Sequence, residues 1–399
     1  MVSTKYQNML TAKSVIREMA EFAAMRGNEI GYENVFDFSL GNPSVPVPPR
    51  FSEAIIELLG TKTSRELHGY SPSLGIQAVK EKITSHLNHR YKMTYTANHI
   101  FMTAGAAGAI AHALRLVTNP GDKVLTFAPY FPEYAPYVNL SGAKLEIVPP
   151  DMVDFQIDFA CFEEMLTAEV TAVLINTPHN PTGAIYNEAT LTQMAELMTA
   201  KQKEYGHDIF LISDEPYRDV VFSGQNQPYI SSYYANTLSC FSYSKSHSIP
   251  GERIGYLAVN PAATAADLLV PMSGQISRGI GHNCPASLIQ LAIAETLDVT
   301  VDMSVYETNM NILYNELLAL GFNCRKPEGT FYIFPQALEA DAAVFCRKAL
   351  AYDLILVPSD SFGCPGHFRI AYCIQTEKVE RSLSAFRRFV EEEYDKKSH

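Results

Sequence analysis

The chain has 399 residues, enough to bury a large core and to form more than one structural unit. Hydrophobic residues make up 47% and charged residues 19% of it, which is the composition of an ordinary soluble globular protein. The formal net charge of −12 argues against nucleic acids and anionic membranes as partners, and no apolar run reaches the roughly 18 residues that span a bilayer.

The cysteines and the N-terminus indicate a cytoplasmic protein. The seven cysteines are scattered and include no Cys-x-x-Cys pair, which is typical of reduced thiols in a reducing compartment. The start, Met-Val-Ser-Thr-Lys, is polar and no apolar segment follows it, so we expect no secretory signal. No His, Cys and carboxylate residues share the spacing of metal ligands, so we expect no metal.

The N-terminal part of the chain contains a helical pattern and two turn-rich segments. Apolar spacing predicts an amphipathic helix over 12–26, and Gly27 is expected to end it. A glycine and several prolines in 36–49 predict an irregular, extended path, which suits a loop across a site, an arm to a neighbour or a plain linker. The second segment, 68–75, contains Tyr70, whose hydroxyl is either functional or simply packed.

Strands and helices alternate from residue 99 onward. Strands are expected at 100–103, 123–127, 173–176, 209–213, 254–259, 329–334, 354–357 and 367–372. Helices are expected from about 104, over 188–205 and around 262–272. After a loop at 277–285 the chain is expected to be helical up to 320, and further helices are expected near 340–352 and from 376. This alternation predicts an α/β fold with a parallel sheet.

Small, aromatic and acidic residues follow these predicted strands. Gly105, Ala106 and Ala107 form a turn that either offers backbone N–H groups to an anion or packs a helix tightly on the sheet. Phe131 and Tyr134 stand beyond a strand end, where an aromatic side chain could stack on a flat ring or join the core. Asp214 closes a buried strand, where it needs a cationic partner unless it caps a helix.

Lys245 lies among hydroxyl groups just past another apolar run, with Arg253 eight residues later. A lysine so placed can form an imine with a carbonyl cofactor, while Ser242 and Arg253 could hold the phosphate of that cofactor by charge-assisted hydrogen bonds. The alternative from this stretch alone is a solvated surface lysine.

Three motifs in a fixed order carry a family resemblance. They are Asn180-Pro-Thr-Gly183, Asp214-x-x-Tyr217, and Ser242-x-x-Lys245 with Arg253. In this order they resemble the class I/II, aspartate-aminotransferase-like family of pyridoxal-phosphate-dependent enzymes. The resemblance extends from Gly41-Asn-Pro43 to the predicted strand around Arg369.

The resemblance implies fold type I, in which a large domain has a mostly parallel seven-stranded sheet between helices and a smaller domain is α+β. We therefore expect an N-terminal helix and arm at 1–45, which belong with the small domain. A large cofactor-binding domain at 46–295 and a small C-terminal domain at 296–399 would follow. The second boundary falls within helical chain rather than in a linker.

The resemblance also implies the cofactor, pyridoxal 5′-phosphate, and the residues that hold its ring. Lys245 would form the Schiff base, called the internal aldimine, and Asp214 would pair with the pyridine nitrogen. A carboxylate there keeps the nitrogen protonated, so that the ring accepts electrons from Cα. Asn180 and Tyr217 would hydrogen-bond the 3′ oxygen, and Phe131 would stack on the ring.

The cofactor phosphate would be held by Ser242, Arg253 and the backbone of Gly105, Ala106 and Ala107. Family members with a side-chain donor in this turn make a bond that alanine cannot provide. Tyr70 matches the tyrosine that reaches the phosphate from the neighbouring subunit. The resemblance therefore implies a homodimer with shared active sites.

For the substrate, Arg369 matches the arginine that binds the α-carboxylate, assisted by Asn180 and the backbone of Gly41. Arg278 resembles the arginine that binds a distal carboxylate across the dimer interface, although the residues around it differ. The implied reaction is ping-pong. The amino acid displaces Lys245, whose amine moves a proton between Cα and C4′ of the cofactor through aldimine and ketimine forms.

The expected activity is an aminotransferase, EC 2.6.1.-, which moves an amino group between an L-amino acid and a 2-oxo acid. Aspartate or glutamate is the favoured amino donor, and aspartate aminotransferase is the specific expectation. Two alternatives remain: an aromatic or broad-specificity aminotransferase, and a C–S β-lyase. The same cofactor-binding residues serve all of these enzymes, and also decarboxylases and cyclopropane-forming synthases, so they do not distinguish the reaction.

Overall fold

The computed structural model describes residues 2–11 and 14–395. Its strands are β1 (Phe36–Asp37), β2 (Ile100–Thr103), β3 (Lys123–Phe127), β4 (Lys144–Val148), β5 (Val170–Asn176), β6 (Phe210–Asp214), β7 (Thr237–Ser242), β8 (Gly255–Val259), β9 (Tyr332–Ile333), β10 (Leu354–Ile355), β11 (Val357–Pro358) and β12 (Phe368–Ala371).

The α-helices are α1 (Thr4–Thr11), α2 (Val15–Ile30), α3 (Pro49–Thr61), α4 (Ser64–His68), α5 (Gln77–Tyr91), α6 (Gly105–Val117), α7 (Tyr134–Ser141), α8 (Phe159–Met165), α9 (Glu188–Tyr205), α10 (Tyr243–Ser246), α11 (Ala266–Ile280), α12 (Ser287–Ala294), α13 (Ser304–Ala319), α14 (Ala342–Ala349) and α15 (Thr376–Glu393). Short 3-10 turns occur at Tyr32–Asn34, Ala97–His99, Ile230–Ser232, Pro250–Glu252, Leu350–Tyr352 and Asp360–Phe362.

A seven-stranded sheet forms the centre of the molecule, in the order β2-β8-β7-β6-β5-β3-β4. All its neighbouring strands are parallel except at β8, which runs antiparallel to both β2 and β7. The inner strands β6 and β7 are buried along their whole length, whereas the edge strand β4 has exposed positions. Near-continuous apolar strands of this kind are typical of a parallel sheet covered on both faces. The predicted α/β class with a mostly parallel seven-stranded sheet is confirmed.

Helices cover both faces of this sheet. On one face, α6 contacts β7 and β8, and its fully buried Ala109 and Ala113 let the helix approach the strands closely. On the other face, the fully buried Leu191 and Met194 of α9 join the core made by the strands. The sheet is therefore a rigid platform whose strand ends can hold side chains in fixed positions.

The C-terminal part of the chain builds a second, smaller sheet in the order β11-β12-β9, with antiparallel neighbours. Its core combines β12 with α13, α14 and α15 and includes Phe345, Phe368, Phe386 and Phe389. A parallel pair, β1 with β10, ties the N-terminal segment to this part of the chain. The boundaries at 45/46 and 295/296 stay a prediction.

The prediction that Gly27 ends the first amphipathic helix is wrong. Helix α2 begins at Val15 and continues to Ile30, and Gly31 ends it with φ 87°. The first two positions of the prediction, 12 and 13, lie outside the described residues. Gly27 is buried within the helix. The Tyr32 ring packs so closely on it that a Cβ at this position would lie 2.5 Å from Cδ2 of Tyr32. The glycine therefore serves close packing rather than termination.

Two further helix predictions need correction. The helix expected over 262–272 is α11, which passes Pro271 and ends at Gly281 in the left-handed conformation, so Arg278 lies in its last turn and not in a loop. The helical chain expected up to 320 is interrupted between α12 and α13, at 295–303. No helix within the described ranges combines the length and apolarity needed to cross a bilayer.

Candidate active site

A cavity of about 390 Å³ lies at the edge of the large sheet where β3, β5, β6 and β7 end. The carboxyl ends of parallel strands meet at one edge, which is where open α/β sheets bind their ligands. The cavity is lined by Ser14, Ile16, Arg17, Leu40, Gly41, Ala106, Ala107, Ile110, Phe131, Glu133, Tyr137, Asn176, Asn180, Asp214, Pro216, Tyr217, Ser242, Ser244, Lys245, Pro250, Arg253, Tyr332 and Arg369.

Asp214 is buried at the floor of this cavity. Its Oδ2 accepts a hydrogen bond of 2.6 Å from the hydroxyl of Tyr134, whereas its Oδ1 is buried without a partner in the described structure. Burial raises the pKa of Asp214 to about 7, although the Tyr134 hydroxyl opposes this rise. A carboxylate with one free oxygen in such a place is suited to a protonated ring nitrogen.

Asn176 connects Asp214 to the loop that carries Asn180. The two strand-end residues Asn176 and Asp214 are register partners on β5 and β6. The Asn176 side chain donates to the Asp214 carbonyl oxygen at 2.8 Å and accepts from the Asn180 backbone N–H at 2.7 Å. These two bonds fix the Asn180 backbone relative to the end of β6, and they thereby hold the Asn180 side chain at the cavity wall.

Lys245 projects from a one-turn helix, α10, directly after β7. Ser242 caps this turn by accepting from the Ser244 N–H at 3.2 Å. The Lys245 amine donates to the Gly41 carbonyl oxygen at 2.6 Å. Burial, together with the nearby charges of Arg369 and Arg253, lowers its pKa to about 8. A sizeable fraction of the amine is therefore neutral and nucleophilic near neutral pH.

The N-terminus of α6 forms an anion cradle with Arg253 and Ser242. Gly105 has φ 76°, and a Cβ there would lie 2.9 Å from Nη2 of Arg253 and 3.4 Å from Oγ of Ser242. Arg253 is held by hydrogen bonds to the carbonyl oxygens of Ala104 and Pro250. Free N–H groups, the helix dipole and a guanidinium all converge here, so the cradle fits a phosphate.

Arg369, on β12, is 1% exposed and reaches the opposite wall of the cavity. Its Nη1 donates to Oδ1 of Asn180 at 3.1 Å and its Nη2 to the Ser39 carbonyl oxygen at 2.5 Å. Its Nε is buried without a partner in the described structure. The guanidinium also lies 4.5 Å from the centre of the Tyr332 ring. A buried arginine with an unused donor is a preformed site for a carboxylate.

A family model described as aminotransferase class I and II matches residues 33–386. The chain belongs to this family. A solved amino transferase from Eubacterium rectale is 40% identical and superimposes with a TM-score of 0.95 over 99% of this chain and 100% of that one. Aspartate aminotransferase of Geobacillus stearothermophilus is 28% identical over 90% of this chain and 92% of that protein. Aromatic-amino-acid aminotransferase 2 of Thermococcus litoralis is 27% identical over 91% and 93%.

The resemblance seen in the sequence motifs is thereby confirmed, and the protein is a pyridoxal-phosphate-dependent aminotransferase. The cavity fits this cofactor on two observations of its own. The partnerless Oδ1 of Asp214 suits the pyridine nitrogen, and the turn at Gly105, which lies close to Arg253 Nη2 and Ser242 Oγ, suits a phosphate by its donors. Ala106, Ala107 and Phe131 line the same cavity, as the predicted contacts of the phosphate and the ring require.

Tyr217 lies in this aminotransferase cavity as well, with its hydroxyl 2.9 Å from that of Tyr332. Tyr70 and Arg278 do not. Both line a separate cavity of about 1070 Å³, and the Tyr70 side chain is fully exposed in the single chain. The structure thus brings together every predicted site residue except the two that were assigned to a neighbouring subunit.

Among the residues of the aminotransferase site, Tyr332 and Arg17 received no role from the sequence, and Tyr134 was predicted only to stack on a flat ring or to join the core. Tyr134 donates to Asp214, Tyr332 pairs with Tyr217, and Arg17 lines the cavity from α2. Tyr134 follows the end of β3, so its place at the catalytic edge was a usable signal for a contact with Asp214. No local pattern pointed to Tyr332 or Arg17, because each comes from a part of the chain distant from the motifs.

Proposed function

We propose that this aminotransferase transfers the amino group of a dicarboxylic L-amino acid, with aspartate or glutamate favoured, to a 2-oxo acid. The observation that carries the amino-acid part of the proposal is the buried guanidinium of Arg369, with its unused Nε, in the same cavity as the Lys245 amine. The relative from Geobacillus stearothermophilus, named for aspartate, supports the choice of substrate.

In this proposal each residue has a defined task. Arg369 and Asn180 bind and orient the substrate α-carboxylate, and the Gly41 carbonyl oxygen orients the Lys245 amine. Lys245 would hold the cofactor and, as a free amine, would accept the proton from Cα of the substrate. Pyridoxal phosphate, when bound, supplies an electron sink for the Cα proton loss. Asp214, hydrogen-bonded by Tyr134, would stabilise a positive charge at the ring nitrogen.

The remaining contacts of the cofactor follow from the cavity walls. Ser242, Arg253 and the backbone at Gly105, Ala106 and Ala107 would hold the phosphate. Asn180 and Tyr217 would hydrogen-bond the ring oxygen, and Phe131 would cover one ring face. The hydrogen bond between Tyr217 and Tyr332 supports this arrangement because it fixes the direction of the Tyr217 hydroxyl.

The working unit would be a homodimer with shared active sites. Tyr70 and Arg278 are separated from the Lys245 cavity in one chain and lie together on a different surface. Two-fold contact of that surface with a second copy would place Tyr70 at the phosphate and Arg278 at the substrate side chain of that copy. The exposed Leu268, Met272 and Ile280 on α11 support such a contact, since apolar side chains gain from being covered.

A second candidate is an aromatic or broad-specificity aminotransferase. Ile16, Leu40, Ile110 and Tyr137 line the cavity and would pack against an apolar side chain. The relative from Thermococcus litoralis, named for aromatic amino acids, supports this alternative. A C–S β-lyase would use the same residues and differs only in the fate of the substrate side chain.

A cytoplasmic location completes the proposal. Each of the seven cysteines is free in the structure, and four of them, Cys240, Cys346, Cys364 and Cys373, are buried. Unpaired thiols in this number support a reducing compartment.

The test is a screen of single half-reactions. The cofactor-loaded enzyme is mixed with one amino acid at a time, and the visible absorption band of the cofactor is followed. Rapid, stoichiometric loss of the band with aspartate or glutamate is the expected result. Conversion mainly by aromatic amino acids would favour the second candidate. Release of ammonia and pyruvate from a cystine-like substrate, without an amino acceptor and with the band retained, would identify a lyase.

A further inference from the structure

We propose that Arg17, in the first turn of α2, is a specificity residue that binds the side-chain carboxylate of a dicarboxylic substrate within the same chain. The inference rests on the proposed function, because it concerns the substrate end of the same cavity. It adds a cation that is independent of any contact from a second copy.

Several positively charged side chains surround the cavity. Arg17, Lys245, Arg253 and Arg369 are the lysines and arginines that line it. Lys245 is bound to Gly41, while Arg253 and Arg369 each donate to backbone carbonyl oxygens. The Arg17 side chain, in contrast, makes no hydrogen bond or ion pair with any other described residue and is exposed. All of its donors are therefore available to a ligand, whereas the other three cations already use some of theirs within the protein.

The wall that Arg17 occupies is the one left for the substrate side chain. Asp214 and the Gly105 cradle take the two ends of the cofactor, and Arg369 takes the α-carboxylate. The remaining lining includes Ser14, Ile16 and Arg17, together with Leu40, Ile110, Glu133 and Tyr137. A carboxylate at the end of a short substrate side chain would meet Arg17 as the basic group on this wall.

An acidic residue, Glu133, lies on the same wall as Arg17 and would also influence a substrate carboxylate. Glu133 lines the cavity and also the neighbouring groove that contains Arg17. Its charge would repel a second substrate carboxylate, whereas Arg17 would attract it. The positive charge of Arg17 also opposes the rise in the pKa of the Tyr137 phenol, which burial and Glu133 raise to about 12. Arg17 is therefore close enough to Tyr137, another residue of the cavity lining, to influence its charge, although the Arg17 side chain is exposed.

Arg278 does not fill this role within the chain. It lines the separate cavity beside Tyr70, and it can act only if a second copy brings it close. The two arginines therefore make different predictions. A contribution from Arg17 belongs to each chain by itself, while a contribution from Arg278 depends on assembly.

The experiment compares substrates that differ only in the distal charge. Half-reaction kcat/KM is measured for aspartate and for its neutral near-isostere asparagine, in the wild type, Arg17→Ala, Arg17→Lys and Arg278→Ala. Loss of one charge-assisted hydrogen bond predicts a fall of about ten- to a hundredfold for aspartate in Arg17→Ala, with asparagine changed less than about threefold. Arg17→Lys should retain part of the preference, because it keeps the charge but not the planar fork.

Binding provides a second readout that does not depend on turnover. Succinate and butyrate are titrated calorimetrically into the cofactor-loaded enzyme, and Arg17→Ala should weaken succinate by a similar factor and leave butyrate unchanged. Glu133→Gln should strengthen succinate. The matched control is Glu18→Gln, one position along α2, since Glu18 lines the neighbouring groove but not the cavity. This control should change neither ligand.

The outcomes separate the inference from the proposed function. If the wild type reacts rapidly with aspartate but Arg17→Ala keeps the full preference over asparagine, the assignment of Arg17 is overturned and the proposed function stands. Equal losses for both substrates would also overturn it, because they would indicate a general disturbance. If the wild type itself reacts with aromatic amino acids and not with aspartate, the proposed function fails and the inference fails with it.

Discussion

Asp214 and Lys245 carry the two most consequential charges of the site, and burial is the largest influence on each. The same desolvation raises the pKa of the carboxyl to about 7 and lowers that of the amine to about 8. Without the cofactor, both groups therefore have pKa values close to neutral pH. A cationic ring nitrogen beside Asp214 and a carbonyl carbon beside Lys245 would relieve both penalties, which is why cofactor binding and stability should be coupled.

For the cofactor-free protein, we expect Asp214 to make stability depend on pH. The folded pKa, about 7, lies above the ordinary value of 3.8, so the native state binds this proton more tightly than the unfolded chain. The stabilisation of the folded state by this bound proton is complete below about pH 4 and is lost as the pH rises to about 7. The loss in unfolding free energy is on the order of 4 kcal/mol. Urea unfolding of the wild type and Asp214→Asn across this range measures the effect.

Asp214→Asn provides the matched comparison because its amide oxygen can still accept from Tyr134. The difference in unfolding free energy between the two proteins should change in favour of the variant as the pH rises. A difference that stays constant from pH 4 to 7 would contradict the assigned cause.

Lys245 predicts a pH dependence of a different kind. Its neutral amine is the nucleophile, so the rate of covalent cofactor uptake by the cofactor-free protein should rise about tenfold per pH unit below about 8 and level off above it. Stopped-flow absorbance, followed by borohydride trapping, measures this rate. Lys245→Ala should retain no trapped cofactor, and a wild-type plateau only near pH 10.5 would show an ordinary lysine.

At the scale of elements, the turn after β6 depends on a buried ion pair. The Arg218 guanidinium donates to Glu215 at 3.0 Å and to the Tyr256 hydroxyl at 2.7 Å, and it lies 4.0 Å from the centre of the Phe241 ring. Glu215 is 1% exposed and directly follows Asp214. The pair therefore joins the strand end that carries Asp214 to β7 and β8.

Replacing Arg218 with Met should destabilise the protein by about 3–5 kcal/mol, because it leaves the Glu215 charge buried without a partner. The double variant Glu215→Gln/Arg218→Met should recover much of this loss, since no uncompensated charge remains. Chemical unfolding of the single variants and the double variant checks both statements. A double variant as unstable as Arg218→Met would assign the effect to lost packing on Phe241 instead.

At the scale of the whole molecule, the separation of Arg278 from Lys245 leads to a test of shared sites. Lys245→Ala and Arg278→Ala are expected to be weak with aspartate when each is assayed alone. In a mixed dimer, the chain with an intact Lys245 would face an intact Arg278 on the other chain.

Equal amounts of the two variants, dissociated and reassociated at random, should therefore regain about a quarter of the wild-type aspartate activity, since half the dimers are mixed and each has one intact site. Aspartate half-reaction rates before and after mixing measure this gain, and the unmixed variants treated in the same way are the control. An unchanged rate after proven exchange of subunits would contradict a shared site.

The sequence by itself determined the class of fold and the chemistry of the motifs. Apolar runs such as β3 and β7, and the polar residues that follow them, depend on near neighbours in the chain, so their patterns are readable without tertiary contacts. Lys245, Asp214 and Asn180 could be placed in one site because the carboxyl ends of parallel strands meet at one edge. The family motifs extended this to the cofactor.

Only the tertiary structure decided which residues meet across long separations. Tyr134 and Asp214 are 80 positions apart, and Arg369 donates to Ser39 across 330 positions. Gly27 lies inside a helix, where the Tyr32 ring packs against it. Helical periodicity does not reveal this contact. The free side chain of Arg17 at the cavity likewise follows from how α2 docks. Packing between distant segments selects such contacts, and local propensity carries no information about them.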